Sequence, residues 1–262
     1  MPILTLYMAS RVLFLVILLL MMGTYAMAQP SQRQVTQQQL IWYSYNNTLL
    51  LNSNWSFGTE LHERRFLNPD RHHQFLVRNS IRRKVGEGWE ASAGFTYFLQ
   101  SPNEPDALVR LTIPELRPHL QLNYNQPLGN LTIAHRYRAE KRYFRNASDD
   151  RLTNGYNSNY RFRYRLGIEY KLATIRDQPL KLKVNNEVFV NAGKRILYNR
   201  FDQNRIYAGV NYAILDKLEF EAAYQHWYQQ RRSGYQFYNR HIINLAIYHR
   251  IDLSKKSDKE AQ

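Results

Sequence analysis

The stretch Tyr160-Arg161-Phe162-Arg163-Tyr164-Arg165-Leu166-Gly167-Ile168-Glu169-Tyr170-Lys171-Leu172 alternates without a break. Tyr160, Phe162, Tyr164, Leu166, Ile168, Tyr170 and Leu172 form one set, and Arg161, Arg163, Arg165, Gly167, Glu169 and Lys171 form the other. A helix, with its 3.6-residue period, would mix the two sets around its circumference. A pleated strand sends successive side chains to opposite faces and separates them completely. The stretch therefore reads as one long β-strand with an aromatic-aliphatic face and a charged face.

The same design repeats on either side. Leu131–Tyr143 puts Arg136, Arg138, Glu140 and Arg142 on one face, and Pro114–Tyr124 opposes Glu115, Arg117, His119, Gln121 and Asn123 to Leu116, Leu120, Leu122 and Tyr124. Further runs of period two are Leu40–Leu50, Trp55–Phe66, Gln74–Val85, Trp89–Leu99, Leu180–Asn191, Asn204–Ile214, Leu218–Tyr228 and Tyr238–Ile251. Short links near Asn52–Asn54, Gly86–Gly88, Asn125–Asn130, Ala173–Pro179 and Leu215–Lys217 alternate with longer ones at Leu67–His73, Gln100–Thr112, Arg145–Asn159, Gly193–Gln203 and Gln229–Phe237. Tight turns at one end and longer loops at the other is the layout of a bacterial transmembrane barrel. Runs of ten or so residues suffice to cross a bilayer at a tilt.

These patterns predict an all-β chain, a single antiparallel transmembrane β-barrel of 10 to 12 strands with a polar lumen. Eleven runs are visible, whereas single-chain bacterial barrels use even numbers. The expectation is that Leu40–Leu50 is not a full strand, or that another strand lies in Gln29–Gln39 or Gln100–Thr112. Alternation alone does not say which face points inward. A membrane barrel turns its charges in, and a soluble lipocalin-like barrel turns them out. Long apolar rows, and tyrosines toward their ends (Tyr124, Tyr143, Tyr170, Tyr212, Tyr228), favour the membrane arrangement.

The start of the chain reads as an export signal. Arg11 precedes a continuous apolar run from Val12 to Met22, and Ala26-Met27-Ala28 supplies the small-x-small pattern of a cleavage site before Gln29. Residues 1–28 are thus expected to be removed, leaving a barrel domain over 29–253 and a polar tail over 254–262. The chain has no cysteine, so it forms no disulfide and carries no lipoprotein anchor. Mean hydropathy is low at −0.58, yet there are 20 tyrosines among the 262 residues. A disordered chain lacks aromatics, so the low value reflects fine interleaving of polar and apolar residues. A formal charge of +15 suggests an anionic partner. For an exported chain that means outer-membrane lipid with its lipopolysaccharide phosphates, or a small anionic solute, rather than nucleic acid.

Leu40-Ile41-Trp42, the segment from Glu60 to Phe66, Glu115-Leu116-Arg117-Pro118 and His135-Arg136-Tyr137-Arg138-Ala139-Glu140 follow one another along the chain. Arg161-Phe162-Arg163-Tyr164-Arg165, Asn186-Glu187-Val188-Phe189 and Phe201-Asp202-Gln203-Asn204-Arg205 continue the series. In content and order the set resembles domain of unknown function 2490, an uncharacterised family of bacterial outer-membrane barrels. The resemblance covers nearly all of the chain after residue 28. It implies a barrel fold and residence in the outer membrane of a Gram-negative bacterium, and it implies no activity.

The candidate site is the ladder of charges on the polar faces: Glu60, Arg78, Glu115, Arg117, Arg136, Arg138, Glu140, Arg163, Arg165, Glu169, Glu187 and Arg205. Turned into a lumen, these groups must pair, because a charge held away from bulk water is costly alone. Arginine suits the task, since its planar fork binds carboxylates from two sides. Two outcomes are open: a salt-bridged scaffold, or a narrow porin-like passage whose surplus arginines prefer anions.

Enzyme chemistry is the rival class. A barrel hydrolase with serine two residues after histidine would have both on one strand face, but none of the eight histidines (His62, His72, His73, His119, His135, His226, His241, His249) has serine at that spacing. Asp70 beside His72 and His73 suggests an Asp–His pair or, more simply, a polar turn. No catalytic residue is nominated. No metal or cofactor is expected either: His72 and His73 are adjacent and point apart in an extended chain, and no phosphate-cradling glycine loop is present. A further alternative is a soluble periplasmic β-protein that binds anionic glycans.

Overall fold

A computed structural model describes residues 33–254. The expected signal segment over 1–28 lies outside the described residues, as does nearly all of the expected tail. Eleven strands follow one another: β1 (Gln34–Leu50), β2 (Trp55–Phe66), β3 (Arg71–Gly86), β4 (Trp89–Gln100), β5 (Ile113–Leu128), β6 (Leu131–Ser148), β7 (Arg151–Ile175), β8 (Gln178–Ala192), β9 (Phe201–Leu215), β10 (Leu218–Gln230) and β11 (Gln236–Asp252). Each pairs antiparallel with its neighbours in sequence, and the sheet closes into a barrel where β1 meets β11.

That closure answers the parity question. β1 and β11 run parallel, in register from Gln34 opposite Gln236 to Leu50 opposite Asp252. Eleven strands thus close without a twelfth. Among the described residues no extra strand lies in 101–112, and Leu40–Leu50 belongs to a full strand that begins at Gln34. Closure is what makes the odd count workable: a parallel ladder satisfies the backbone groups of both edges as an antiparallel one does, with slanted bonds.

The alternation sets the two surfaces. On β7, Tyr160, Phe162, Tyr164, Leu166, Ile168 and Tyr170 are exposed on the outer face. Arg161, Arg163, Arg165 and Glu169 line the interior. The outer face carries rows of large apolar side chains on the other strands too, such as Leu120, Ile206, Val210, Tyr224 and Ile243. Rings also stack across strands there: Trp89 on Tyr124, Tyr124 on His135, and His135 on Tyr164, with centres 4.5, 6.0 and 6.2 Å apart. The interior is not uniformly charged, however. Leu40, Trp42, Phe66, Trp227 and Ile242 form a buried apolar cluster on the wall made by β1, β2, β10 and β11.

The connections follow the expected alternation in part. One rim holds only tight turns, over residues 51–54, 87–88, 129–130, 176–177 and 216–217. Arg176 and Asp177 both take positive φ, 50° and 63°, as a two-residue turn matched to strand twist requires. At the other rim the chain is longer over 101–112, 193–200 and 231–235. The segment Arg145–Asn159, expected as a loop, is instead the tip of the β6–β7 hairpin, which turns at residues 149–150. Its side chains are mostly polar and exposed, so no apolar face marks it as strand. Backbone pairing alone carries the ladder there.

Candidate functional site

The lumen contains a cavity of about 1200 Å³ whose lining reaches from Arg231, Arg232 and Tyr198 at the long-connection rim to Glu169, Lys183 and Asn125 in the opposite half. A second cavity of about 980 Å³ adjoins it toward the tight turns, and Asn46, Arg82, Glu90 and Tyr248 line both. Eleven of the twelve expected charges line the large cavity; the twelfth, Glu140, is buried just behind its surface at 3% exposure.

Strand register brings these charges together. Glu140 on β6 lies opposite Arg161 on β7, and Arg163 follows two residues on along the same face. Glu140 accepts from Arg161 Nε and Nη2 at 2.8 and 2.5 Å and from Arg163 Nη1 at 2.9 Å. Arg138 Nη1 lies 3.8 Å away. Arg163 reaches across to Glu187 on β8, its Nε donating at 2.8 Å, and Arg136 Nη2 donates to the same oxygen at 2.7 Å. Glu115 on β5 accepts from Arg117 and from Arg142, whose Nε and Nη2 lie at 2.6 and 3.1 Å. A separate pair joins Arg78 on β3 to Glu60 on β2 at 2.5 Å, with Arg78 Nε also donating to Thr96.

Three expected members stand apart. Glu169 pairs with Lys181 and Lys183 rather than with arginine, at 3.1 and 3.8 Å. Among the described residues Arg165 and Arg205 bond to no carboxylate; Arg205 donates to Gln203, at 3.3 Å. Several partners were missing from the expected set. Arg142 and Arg161 stand on the alternating rows already recognised, and Arg64 continues the row of Glu60 and His62. Glu221, which accepts from Tyr207 and Tyr248 and pairs with Lys183 at 2.7 Å, stands two residues after Glu219 on the polar face of the Leu218–Tyr228 run.

The connection over 101–112 bends into the barrel mouth. Asn103 accepts through its carbonyl from Gln38 Nε2 at 2.7 Å and through its side chain from Arg240 Nη2 at 3.2 Å. Glu104 accepts from the Tyr238 hydroxyl at 2.8 Å and lies 3.4 Å from Arg231. This stretch therefore ties the mouth to β1, β11 and the connection before β11.

Fitting one residue more on β3 than on β2, the ladder slips between Arg64 and Arg65, setting Arg65 opposite His72. Asp70 bonds to Arg65 Nε at 2.7 Å and to neither histidine, so the Asp–His pair does not form. The guanidinium that donates to Asp70 holds its carboxyl below the usual carboxylate range. Instead His72 Nδ1 meets the Ser101 hydroxyl at 2.7 Å, while its Nε2 lies 3.6 Å from Glu63. A 29-residue separation hid this contact from any spacing rule. Among the described residues no three metal-ligating side chains converge.

The sequence profile of protein of unknown function DUF2490 matches residues 39–239. The chain belongs to the DUF2490 family. Among curated proteins nothing matches this DUF2490 chain. A solved structure of the NanC porin is similar at 11% identity and a TM-score of 0.44, covering 76% of the DUF2490 chain and 91% of the porin.

Proposed function

We propose that this protein is an outer-membrane barrel whose lumen passes small anions as a narrow, anion-preferring pore. The observation that carries the reading is the charge around the large cavity: fifteen arginine and lysine side chains line it against seven aspartates and glutamates. A water-bearing lumen with that surplus attracts anions and repels cations. The ion-paired wall of β5 to β8 serves as scaffold, holding the bore open by cross-strand carboxylate–guanidinium contacts. Residues 1–28 act as the removed export signal on this reading, and the apolar and aromatic outer face meets lipid and lipopolysaccharide. A soluble glycan-binding barrel is disfavoured, since it would need its apolar rows inside. Purified protein in planar bilayers is expected to give current steps whose reversal potential, under a salt gradient, lies on the anion side. No steps, or cation preference, would overturn the proposal.

One observation favours a second reading, a hydrolase at the membrane surface. Ser101, His72 and Glu63 form a hydroxyl–imidazole–carboxylate chain at the long-connection rim, the order of groups that activates a serine nucleophile. On this reading a fluorophosphonate probe labels the folded protein, and Ser101→Ala abolishes the label. A folded protein that takes up none removes the reading.

A further inference from the structure

The lumen shows what fits between two of its arginines. Glu115 sits between Arg117 and Arg142, Glu140 between Arg161 and Arg163, and Glu187 between Arg136 and Arg163. In each case a planar carboxylate accepts from two guanidiniums. All three carboxylates belong to the wall of β5 to β8.

Two further lumen arginines, Arg64 on β2 and Arg205 on β9, form no such contact with a carboxylate among the described residues. Arg64 lies opposite Trp42 in the β1–β2 ladder, and Arg205 lies opposite Trp227 in the β9–β10 ladder. The two indoles meet edge to face, with centres 5.6 Å apart and planes at 71°. Both guanidiniums lie against the same ring, with Cζ 3.8 Å (Arg64) and 5.2 Å (Arg205) from the centre of Trp42; Arg205 is also 4.4 Å from Trp227. The two cations therefore share one aromatic neighbour. Arg64, at 7% exposure, donates to the Gln74 side chain at 2.8 Å and to no carboxylate. Arg205 lies opposite Glu187 in the β8–β9 ladder, yet it donates to the Gln203 side chain at 3.3 Å and not to that carboxylate. Among the described residues, Arg64 Nε, Arg205 Nε and both indole N–H groups are buried without an acceptor.

Cation–π contact offsets part of the cost of holding two like charges together in a poorly hydrated place, but it supplies no acceptor for their N–H groups. Two guanidiniums on one aromatic pair match a group with several oxygens better than a single-atom anion. We propose that Arg64 and Arg205, held on the Trp42–Trp227 pair, form a binding site for the oxyanion head, carboxylate or phosphate, of a small solute. The inference rests on the anion-passing lumen and adds the chemistry that the lumen selects.

The full-length protein in detergent is titrated with sodium phosphate, and separately with sodium acetate, replacing chloride at constant ionic strength while tryptophan fluorescence is followed. A saturable change is expected for at least one of the two oxyanions. The double variant Arg64→Gln/Arg205→Gln should weaken it by about tenfold or more. Arg64→Lys/Arg205→Lys, which keeps the charge and loses the forks, should fall in between. Far-UV circular dichroism confirms the barrel in each variant, and if the glutamine variant does not fold the lysine variant carries the test. No saturable response in the parent, or unchanged affinity in the folded variants, overturns the site. The same proteins in bilayers separate the two claims. Oxyanion binding without current leaves the site standing and removes the pore; anion-selective current with no loss of oxyanion affinity in the variants does the opposite.

Discussion

Replacing Glu140 by leucine is expected to lower stability by about 3–5 kcal/mol, the range for breaking a buried ion pair from one side. The carboxylate is 3% exposed and accepts from Arg161 and Arg163 with Arg138 nearby. Its loss takes away the carboxylate that three guanidiniums surround, leaving Arg163 on Glu187 and Arg161 3.5 Å from Asp202. The repulsion among these cations is long-lived because none of them is free to swing into open water: Arg138 and Arg161 are each 5% exposed. Glu60→Leu should cost less, since the Glu60 side chain is 19% exposed and water can take over part of its role. Urea unfolding of the folded barrels in lipid vesicles measures both. A loss below about 1 kcal/mol for Glu140→Leu would show that the network is not held as described. Combining Glu140→Leu with Arg161→Met should recover part of the loss, because removing both partners avoids the uncompensated charge.

Ile243→Arg is expected to cost about 2–4 kcal/mol in a bilayer. Ile243 lies near the middle of β11, is 49% exposed on the outer face, and neighbours Tyr224 and Ile41 across the ladders. An arginine there has hydrocarbon around it on the proposed membrane reading. Ser44→Arg, near the middle of β1 and facing the large cavity, places the same group in the lumen and should cost clearly less. Equal costs at the two positions in lipid would contradict a lipid-facing exterior.

How much of this could be read beforehand differs from strand to strand. Tyr160–Leu172 needed nothing beyond its own residues, because alternation over thirteen positions has one geometrical meaning. The inward course of Arg136, Arg138, Arg163 and Arg165 followed once long apolar rows were taken to face lipid. The tip of the β6–β7 hairpin was illegible, since Asn154, Asn157, Ser158 and Asn159 give neither face an apolar label. Partner choice was illegible for a different reason. Whether Glu169 meets an arginine or Lys181 depends on register between β7 and β8, and register is set by the whole closed sheet. The inward turn of Trp42 and Trp227 has the same origin: an aromatic residue in an alternating run does not announce its side. Ser101 and His72 meet only because β3 and β4 pair in one particular alignment.

An odd number of strands also fixes at which rims the sheet begins and finishes. Every hairpin reverses direction, so an even count would bring the thread back to its starting rim. Here β1 sets out from Gln34 beside the longer connections, and β11 finishes at Asp252 beside the tight turns. In a barrel set across a bilayer, peptides grafted next to Gln34 and after Asp252 would therefore be displayed in different compartments.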